Sequence, residues 1–436
     1  MSLFRPSLES SPSAAPAEAG VRRTSEILGE AIMDSVSSVR DSLPKEHRVH
    51  FETLRQEIID FTQAHGISRE SLGKPDLLRE ATGKLSIPDL ERLALLLECF
   101  EHLIVKKEPW KNTEALEYGE KFYHLREQYD SQVELLEQVG ILKEGAILGI
   151  DGNTYPIPTL EQIASRIFER RETLQTKRDQ GFTKLLLVPF GMSLNALMDV
   201  FKKSIVFFKQ SHPEYTIFGG EIMFDAWSMY FGGDTPGRSG QDPQIIYFPT
   251  FFDPGHSQGF SKTQILKKQT TAESTTGWFI RFFQPANFDS SKDASDIPQG
   301  IASIPKKGKG VIAGQGQLRL PIEEAITFRK CLSLLQEAED DPGSPYVHES
   351  GLTPEDWLLA YLTHLMETGK QLDARVNCYL TGMCFRDIFE RNTPVAGVGG
   401  SYNSAYLGHT LDHYSFENIG CRFAVMVPPF FSYIRK

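Results

Sequence analysis

Gly397-Val398-Gly399-Gly400-Ser401-Tyr402-Asn403-Ser404-Ala405-Tyr406-Leu407-Gly408-His409-Thr410-Leu411-Asp412-His413-Tyr414-Ser415-Phe416-Glu417-Asn418 runs directly into Ile419-Gly420-Cys421-Arg422-Phe423-Ala424-Val425-Met426-Val427, close to the end of a 436-residue chain. The first part is built of Gly, Ser, Tyr, Asn, His and Asp, whereas the second has the β-branched and aromatic character of a buried strand. The pattern predicts a polar loop pinned by a core strand. Binding loops favour this composition, because Tyr gives contact area at low entropy cost and small polar residues give adaptable hydrogen bonds. Any Gly- and Asn-rich surface loop shares it too, so composition alone leaves both readings open.

Upstream, Pro321 with Glu323 and Glu324 reads as the first turn of a helix, and Thr353-Pro354-Glu355-Asp356 reads as a capping box with Pro at the first helical position. These acids are expected to be caps, since a catalytic acid needs a placed partner. Further back, Lys184-Leu185-Leu186-Leu187-Val188-Pro189-Phe190 predicts a buried strand and positions 193–209 a helix capped by Ser193. Gln244-Ile245-Ile246-Tyr247-Phe248 and Gly277-Trp278-Phe279-Ile280-Arg281-Phe282-Phe283 are further strand candidates, and positions 289–310 read as a long loop. This half is α+β.

Before Gly181 the periodicity is helical. Positions 90–105 predict a bundle helix, positions 114–139 one long amphipathic helix, and Ser86 and Thr159 open capping boxes. Gly145-Ala146-Ile147-Leu148-Gly149-Ile150-Asp151-Gly152-Asn153 has turn chemistry at both ends and suggests a short hairpin or a linker. Residues 1–22, rich in Ser, Pro, Ala and Glu, bury too little to offset ordering entropy and read as a disordered tail. The expected division is therefore a tail over 1–22, a helical region over 23–181, and a second domain over 182–436.

The residues quoted first carry a family resemblance. Gly399-Gly400-Ser401-Tyr402, with Asn418-Ile419-Gly420-Cys421-Arg422-Phe423, resembles the ending of the formylglycine-generating-enzyme (sulfatase-modifying) branch of the C-type lectin fold. Leu318-Arg319-Leu320-Pro321-Ile322-Glu323-Glu324-Ala325 is similar to that family's Arg-Leu-Pro segment. Gly351-Leu352-Thr353-Pro354-Glu355-Asp356-Trp357, Thr368-Gly369, Leu380-Thr381-Gly382 and Pro394-Val395-Ala396-Gly397 look like the lead-in of the variable proteins of diversity-generating retroelements. The resemblance covers the last quarter of the chain well, and residues from about 185 to 310 only by inference. It implies a C-type-lectin-like domain whose segment over about 394–427 is a hypervariable ligand-binding face. The implied contacts are Val398, Ser401, Tyr402, Asn403, Ser404, Tyr406, His409, Asp412, His413, Tyr414, Ser415 and Phe416, with Gly399, Gly400, Gly420 and Arg422 holding the ends. Such elements mutate template adenines, which never yields Lys, Gln, Glu, Met or Trp from an AAC codon. Between positions 398 and 418 only Glu417 belongs to that excluded set. Val398 and Cys421 depart from the family's usual residues.

Other chemistries fit the sequence less well. A net charge of −11 argues against a phosphate-binding surface, so no nucleic-acid partner is expected. No apolar run approaches the roughly 18 residues that span a bilayer, and no export or lipidation motif is seen, so the chain reads as soluble and cytoplasmic. Five cysteines, few and odd in number, suit a reducing compartment rather than a disulfide framework. His409 and His413 would share a helical face at i, i+4, but Gly408 and the loop composition argue against a helix, so no metal or cofactor is expected. An oxidase on the same fold would need a reactive cysteine pair; Cys378, Cys384 and Cys421 are the candidates, yet that family's tryptophan-bearing segment is missing. Two alternatives to a binder remain, that oxidase and a helical adaptor.

Overall fold

The computed structural model describes residues 36–44, 47–68, 71, 75–83, 85, 87–107, 113–213, 215, 234, 245–248, 259–269, 275–289, 296–374, 376–385, 394–399, 406–411 and 417–427. The expected tail over 1–22 and the capping residue Ser86 lie outside these. The chain forms two compact units, one of residues Met1–Asn112 with Lys268–Ser274, the other of Thr113–Lys267 with Thr275–Lys436. The domain boundary expected at 181 thus falls inside the second unit.

Helices α1 (Val36–Asp41), α2 (Arg48–Ala64), α3 (Pro75–Thr82) and α4 (Ile87–Lys106) lie wholly within the first unit. Phe51, Ile58, Phe100 and Leu103 are wholly buried between α2 and α4, and the Phe51 and Phe100 rings stack at 5.1 Å. These are the apolar stripes the periodicity marks.

The second unit opens with α5 (Thr113–Tyr123) and α6 (Leu125–Gln138). A single helix was expected here. It breaks because His124 takes a left-handed backbone, φ 49°, and the Gln128 side chain donates to the Tyr123 carbonyl at 2.6 Å, replacing a helical hydrogen bond with a side-chain one. A hairpin of β1 (Ala146–Leu148) and β2 (Thr154–Pro156) follows, as the turn residues suggest. Then come α7 (Leu160–Glu169), opened by the Thr159–Gln162 capping box, and α8 (Arg171–Asp179).

Four strands form the central antiparallel sheet in the order β3-β5-β12-β6: β3 (Lys184–Val188), β5 (Phe279–Phe283), β6 (Glu349–Gly351) and β12 (Phe423–Met426). Every residue of β3 and β5 is buried; the apolar runs are interrupted only by Lys184 and Arg281, which are ion-paired with Glu367 and Asp356. The outer edge of β3 is closed by α6: the Leu185 and Leu187 amides donate to Gln128 Oε1 (2.9 Å) and Gln132 Oε1 (3.4 Å). Two glutamines four residues apart on one helix face satisfy alternate amides of an edge strand, which protects it from stray pairing. This binds residues 113–138 to the sheet.

The remaining helices are α9 (Leu194–Ser211, capped by Ser193), α10 (Lys262–Gln269, of which Lys268 and Gln269 are counted with the first unit), α11 (Phe328–Asp340) and α12 (Pro354–Thr368). Residues 354–365 of α12 are buried on every side, the mark of a helix running through a core. The helix expected at Pro321 does not form. Glu323 instead accepts from the Gly308 and Gly310 amides, each at 2.7 Å, and α11 starts seven residues later with Thr327 as cap.

Segment 300–304 is strapped to this core by side chains. Gly300 N–H donates to Glu367 Oε2 (2.6 Å), Ile301 N–H to His364 Nδ1 (3.0 Å) and Ile304 N–H to Asp373 Oδ1 (2.8 Å). Burial, with Arg422 nearby, pushes the His364 pKa down to about 4. The unfolded chain, with an ordinary histidine near 6.5, therefore binds more protons between those values. The stabilisation is complete above pH 6.5 and is lost as pH falls toward 4, by about 3 kcal/mol in total. Urea titrations across this window should show that fall, and His364→Gln should remove it; the same fall in the variant would assign it to other groups.

Candidate functional site

A second sheet carries the segment singled out by the sequence. Its order is β10-β9-β7-β11, with β7 (Asn377–Tyr379), β9 (Pro394–Gly399), β10 (Tyr406–Leu411) and β11 (Ile419–Cys421). A two-stranded sheet of β4 (Ile245–Tyr247) and β8 (Met383–Phe385) completes the set. Where a loop was expected from 397 onward, β9 and β10 form a six-pair antiparallel hairpin, from Tyr406↔Gly399 to Leu411↔Pro394. The strand expected over 419–427 also divides. β11 pairs in parallel with β7, and β12 joins the central sheet, so Arg422 is the one residue between two sheets.

The inner end of this sheet is fixed from both sides. Cys378 is wholly buried in the core that holds β3, β5 and α12, while its neighbour Tyr379 is wholly buried against α11, with Phe328 at 5.5 Å. Gly420 pairs with Cys378, and a Cβ there would come within 2.6 Å of Ile304. Outward from this anchor, β9 pairs with β7, and β10 forms the edge of the ladder among the described residues.

Three of the expected contact residues fall in the hairpin: Val398 in β9, Tyr406 and His409 in β10. Strand parity divides them. In the register, Val398 and His409 fall at one parity of the ladder with Pro394, Ala396, Leu407 and Leu411, and Tyr406 falls at the other with Val395, Gly397, Gly399, Gly408 and Thr410. Ser401, Tyr402, Asn403 and Ser404, and Asp412, His413, Tyr414, Ser415 and Phe416, lie outside the described residues. His409 stands in a strand, so the helical i, i+4 geometry with His413 is not provided.

The cysteines are also split by parity. Cys421 pairs with Tyr379, so it lies on the face of the ladder opposite Cys378. Its hydrogen-bond partner is Cys331 of α11, a neighbour the sequence does not reveal. Burial raises the Cys378 and Cys421 thiols well above the ordinary value, which keeps them protonated and poor nucleophiles.

Titratable groups elsewhere are engaged in buried ion pairs. Asp356 closes the capping box with Thr353 and meets Arg281 Nε at 2.8 Å; burial outweighs that partner and raises its pKa. Glu355, also expected to be only a helix-start acid, takes Lys262 at 2.7 Å and the Tyr247 hydroxyl at 2.8 Å; Asp234 meets the same lysine at 2.5 Å. Burial alone would lower Lys262, but the two carboxylates hold it above the usual lysine range. Glu349 receives both Arg319 and Lys177 at 2.8 Å. Each network joins elements distant in sequence. Among the described residues no helix is long and apolar enough to cross a membrane, and no group of three or more His, Cys, Asp or Glu is placed to hold a metal.

No protein-family model, curated protein or solved structure matches the chain.

Proposed function

We propose that the chain is a ligand-binding protein, that its second unit is C-type-lectin-like, and that the segment over about 394–427 is a recognition face diversified by a retroelement. The observation that supports this reading best is the placement of the β9–β10 hairpin. It is the outer part of a sheet whose inner strands are buried on both faces, so its residues can change while the anchor stays fixed. Recognition would be non-catalytic, with tyrosines as stiff anchors and Asn, Ser, His and Asp as adaptable contacts. The partner would be a macromolecular or surface ligand. The oxidase reading is weakened by the opposed positions of Cys378 and Cys421 and by their raised thiols.

Parity sharpens the test. Random substitution at Tyr406 and Thr410 is expected to leave folding intact while altering which ligands are captured. Substitution at Leu407 and Leu411, apolar positions of the other parity, should reduce the yield of folded protein. Displaying both libraries and sorting for folding and binding checks this; equal tolerance at both parities would remove the argument. Deep sequencing of the 3′ end of the gene supplies the second readout. Adenine-derived substitutions confined to codons 398–418 support diversification, and a uniform sequence counts against it.

A further inference from the structure

The ribbon closed by the Ala313↔Arg319 bridge has its alternation reversed. Its bridging residues are the buried ones, Ala313 at 2% and Arg319 at 5% exposed, and the Arg319 guanidinium meets both Glu349 oxygens at 2.8 Å. The residues of the other parity are aliphatic and face solvent: Ile312 is 49%, Leu318 56% and Leu320 55% exposed, with Val311 beside them at 65%. Leu318-Arg319-Leu320 thus buries its cation and exposes its leucines, the opposite of what a solvated ribbon requires. Clustered exposed aliphatics of this kind mark a surface that meets another apolar medium.

A basic turn precedes the ribbon. Lys306, Lys307 and Lys309 are all exposed on it, and its shape is fixed, since the Lys309 amide donates to the Lys306 carbonyl (2.9 Å). The nearby acids accept from backbone amides, Glu323 from Gly308 and Gly310 (2.7 Å each) and Glu324 from Lys307 (3.3 Å). Among the described residues none of the three lysines forms an ion pair. From position 297 to 322 the chain carries Lys306, Lys307, Lys309 and Arg319 and no acid, although its net charge is −11.

We propose that this ribbon docks the protein on an anionic phospholipid bilayer, with Ile312, Leu318 and Leu320 entering the acyl boundary and the three lysines meeting the headgroups. An apolar tip beside a cluster of cations matches the two layers of such a surface, and each lysine gains from its negative potential. Composition favours lipid over a protein partner: positions 306–320 hold no aromatic residue, and lysine is depleted at protein interfaces where aromatics are enriched. The site is independent of the recognition reading. The chain that flanks it packs on β11, where the Ala325 amide donates to the Ile419 carbonyl (2.8 Å), whereas β10 lies at the other end of that ladder.

Flotation of the full chain with lipid vesicles tests this, using phosphatidylcholine alone and phosphatidylcholine with about one-third phosphatidylserine. The anionic vesicles should bind at least about tenfold more strongly. Leu318→Ser with Leu320→Ser should weaken that binding at least about tenfold without moving the thermal unfolding midpoint; serine offers Arg319 no rival carboxylate. Replacing Lys306, Lys307 and Lys309 by Gln should cause a similar loss from the charge side. Leu318→Trp should shift its emission to the blue on anionic vesicles, the sign of entry into the acyl boundary. Absence of flotation, equal flotation with both vesicles, or an unaffected leucine variant overturns the proposal. So does a concentration-dependent dimer, without flotation, that the leucine variant abolishes, because it assigns the ribbon to a second copy of the chain.

Discussion

Glu349→Gln is expected to lower the unfolding free energy by about 3–5 kcal/mol, the cost of leaving buried charge unpaired. Glu349 is wholly buried and sits between Lys177 and Arg319, each 2.8 Å away, with Lys177 also donating to Gln180 Oε1 and the Pro345 carbonyl. Burial would raise the carboxyl pKa, yet the two cations hold it below the usual range, so it is the charged form that the fold uses. Removing the charge leaves two cations in one dry site. Urea unfolding of the variant measures the loss, and a change under about 1 kcal/mol would show that the site is wet. Adding Lys177→Met to the variant should recover part of the loss, because it removes one of the stranded charges. An additive further loss would sink that account.

Gly351→Ala is expected to destabilise by about 3 kcal/mol or more, with little folded protein recovered at 37 °C. A Cβ on Gly351 would lie 2.3 Å from Thr381 Oγ1, 2.6 Å from the Thr381 carbonyl carbon and 2.7 Å from Gly382 N. Two of these are backbone atoms and cannot swing aside. Gly382 is as tight in return, its would-be Cβ lying 2.8 Å from the Leu352 carbonyl oxygen, to which its own amide donates at 2.9 Å. The chain segments that open α12 and join β7 to β8 therefore cross at bare backbone. Gly369→Ala is the control: φ is 69° but nothing lies within 4 Å, so only the conformational cost of about 1–2 kcal/mol applies. Equal melting of the two variants would contradict the crossing.

The features legible in the sequence are those decided by neighbours in the chain. The apolar run of β3, the Ser193 cap of α9, the Thr159 and Thr353 capping boxes and the β1–β2 turn all rest on contacts within a few residues. Errors arose where a distant partner outbid the local pattern. Positions 114–139 scan as one helix, but the Gln128 amide reaches both the Tyr123 and Thr183 carbonyls, and the chain bends at His124 to let it. Pro321 with two acids scans as a helix start, but Glu323 is taken by the amides of another loop. Residues 113–181 group with the sheet for the same reason, since the glutamines of α6 serve the edge of β3 across about 55 residues of chain.

At the candidate site, composition singles out a stretch of chain but not its geometry. Gly, Ser, Tyr and Asn suit a loop and a Gly-rich edge hairpin alike, and only pairing to β7 distinguishes the two. The parity that sets Tyr406 apart from Val398 and His409 follows from that pairing. So does the separation of Cys378 from Cys421, which sequence distance alone leaves open.

The six-pair register of β9 and β10 also limits how this segment can change over generations. A substitution alters one residue and leaves the alternation intact. A codon gained or lost inside either strand would exchange the two faces for every residue beyond it, carrying Leu407 and Leu411 to the side that Tyr406 occupies. The hairpin is thus a text that tolerates misspelling but not a shifted reading frame of side chains. An inheritance mechanism that rewrites letters while conserving length is the kind such a scaffold survives, and homologous genes should differ here in spelling far more than in length.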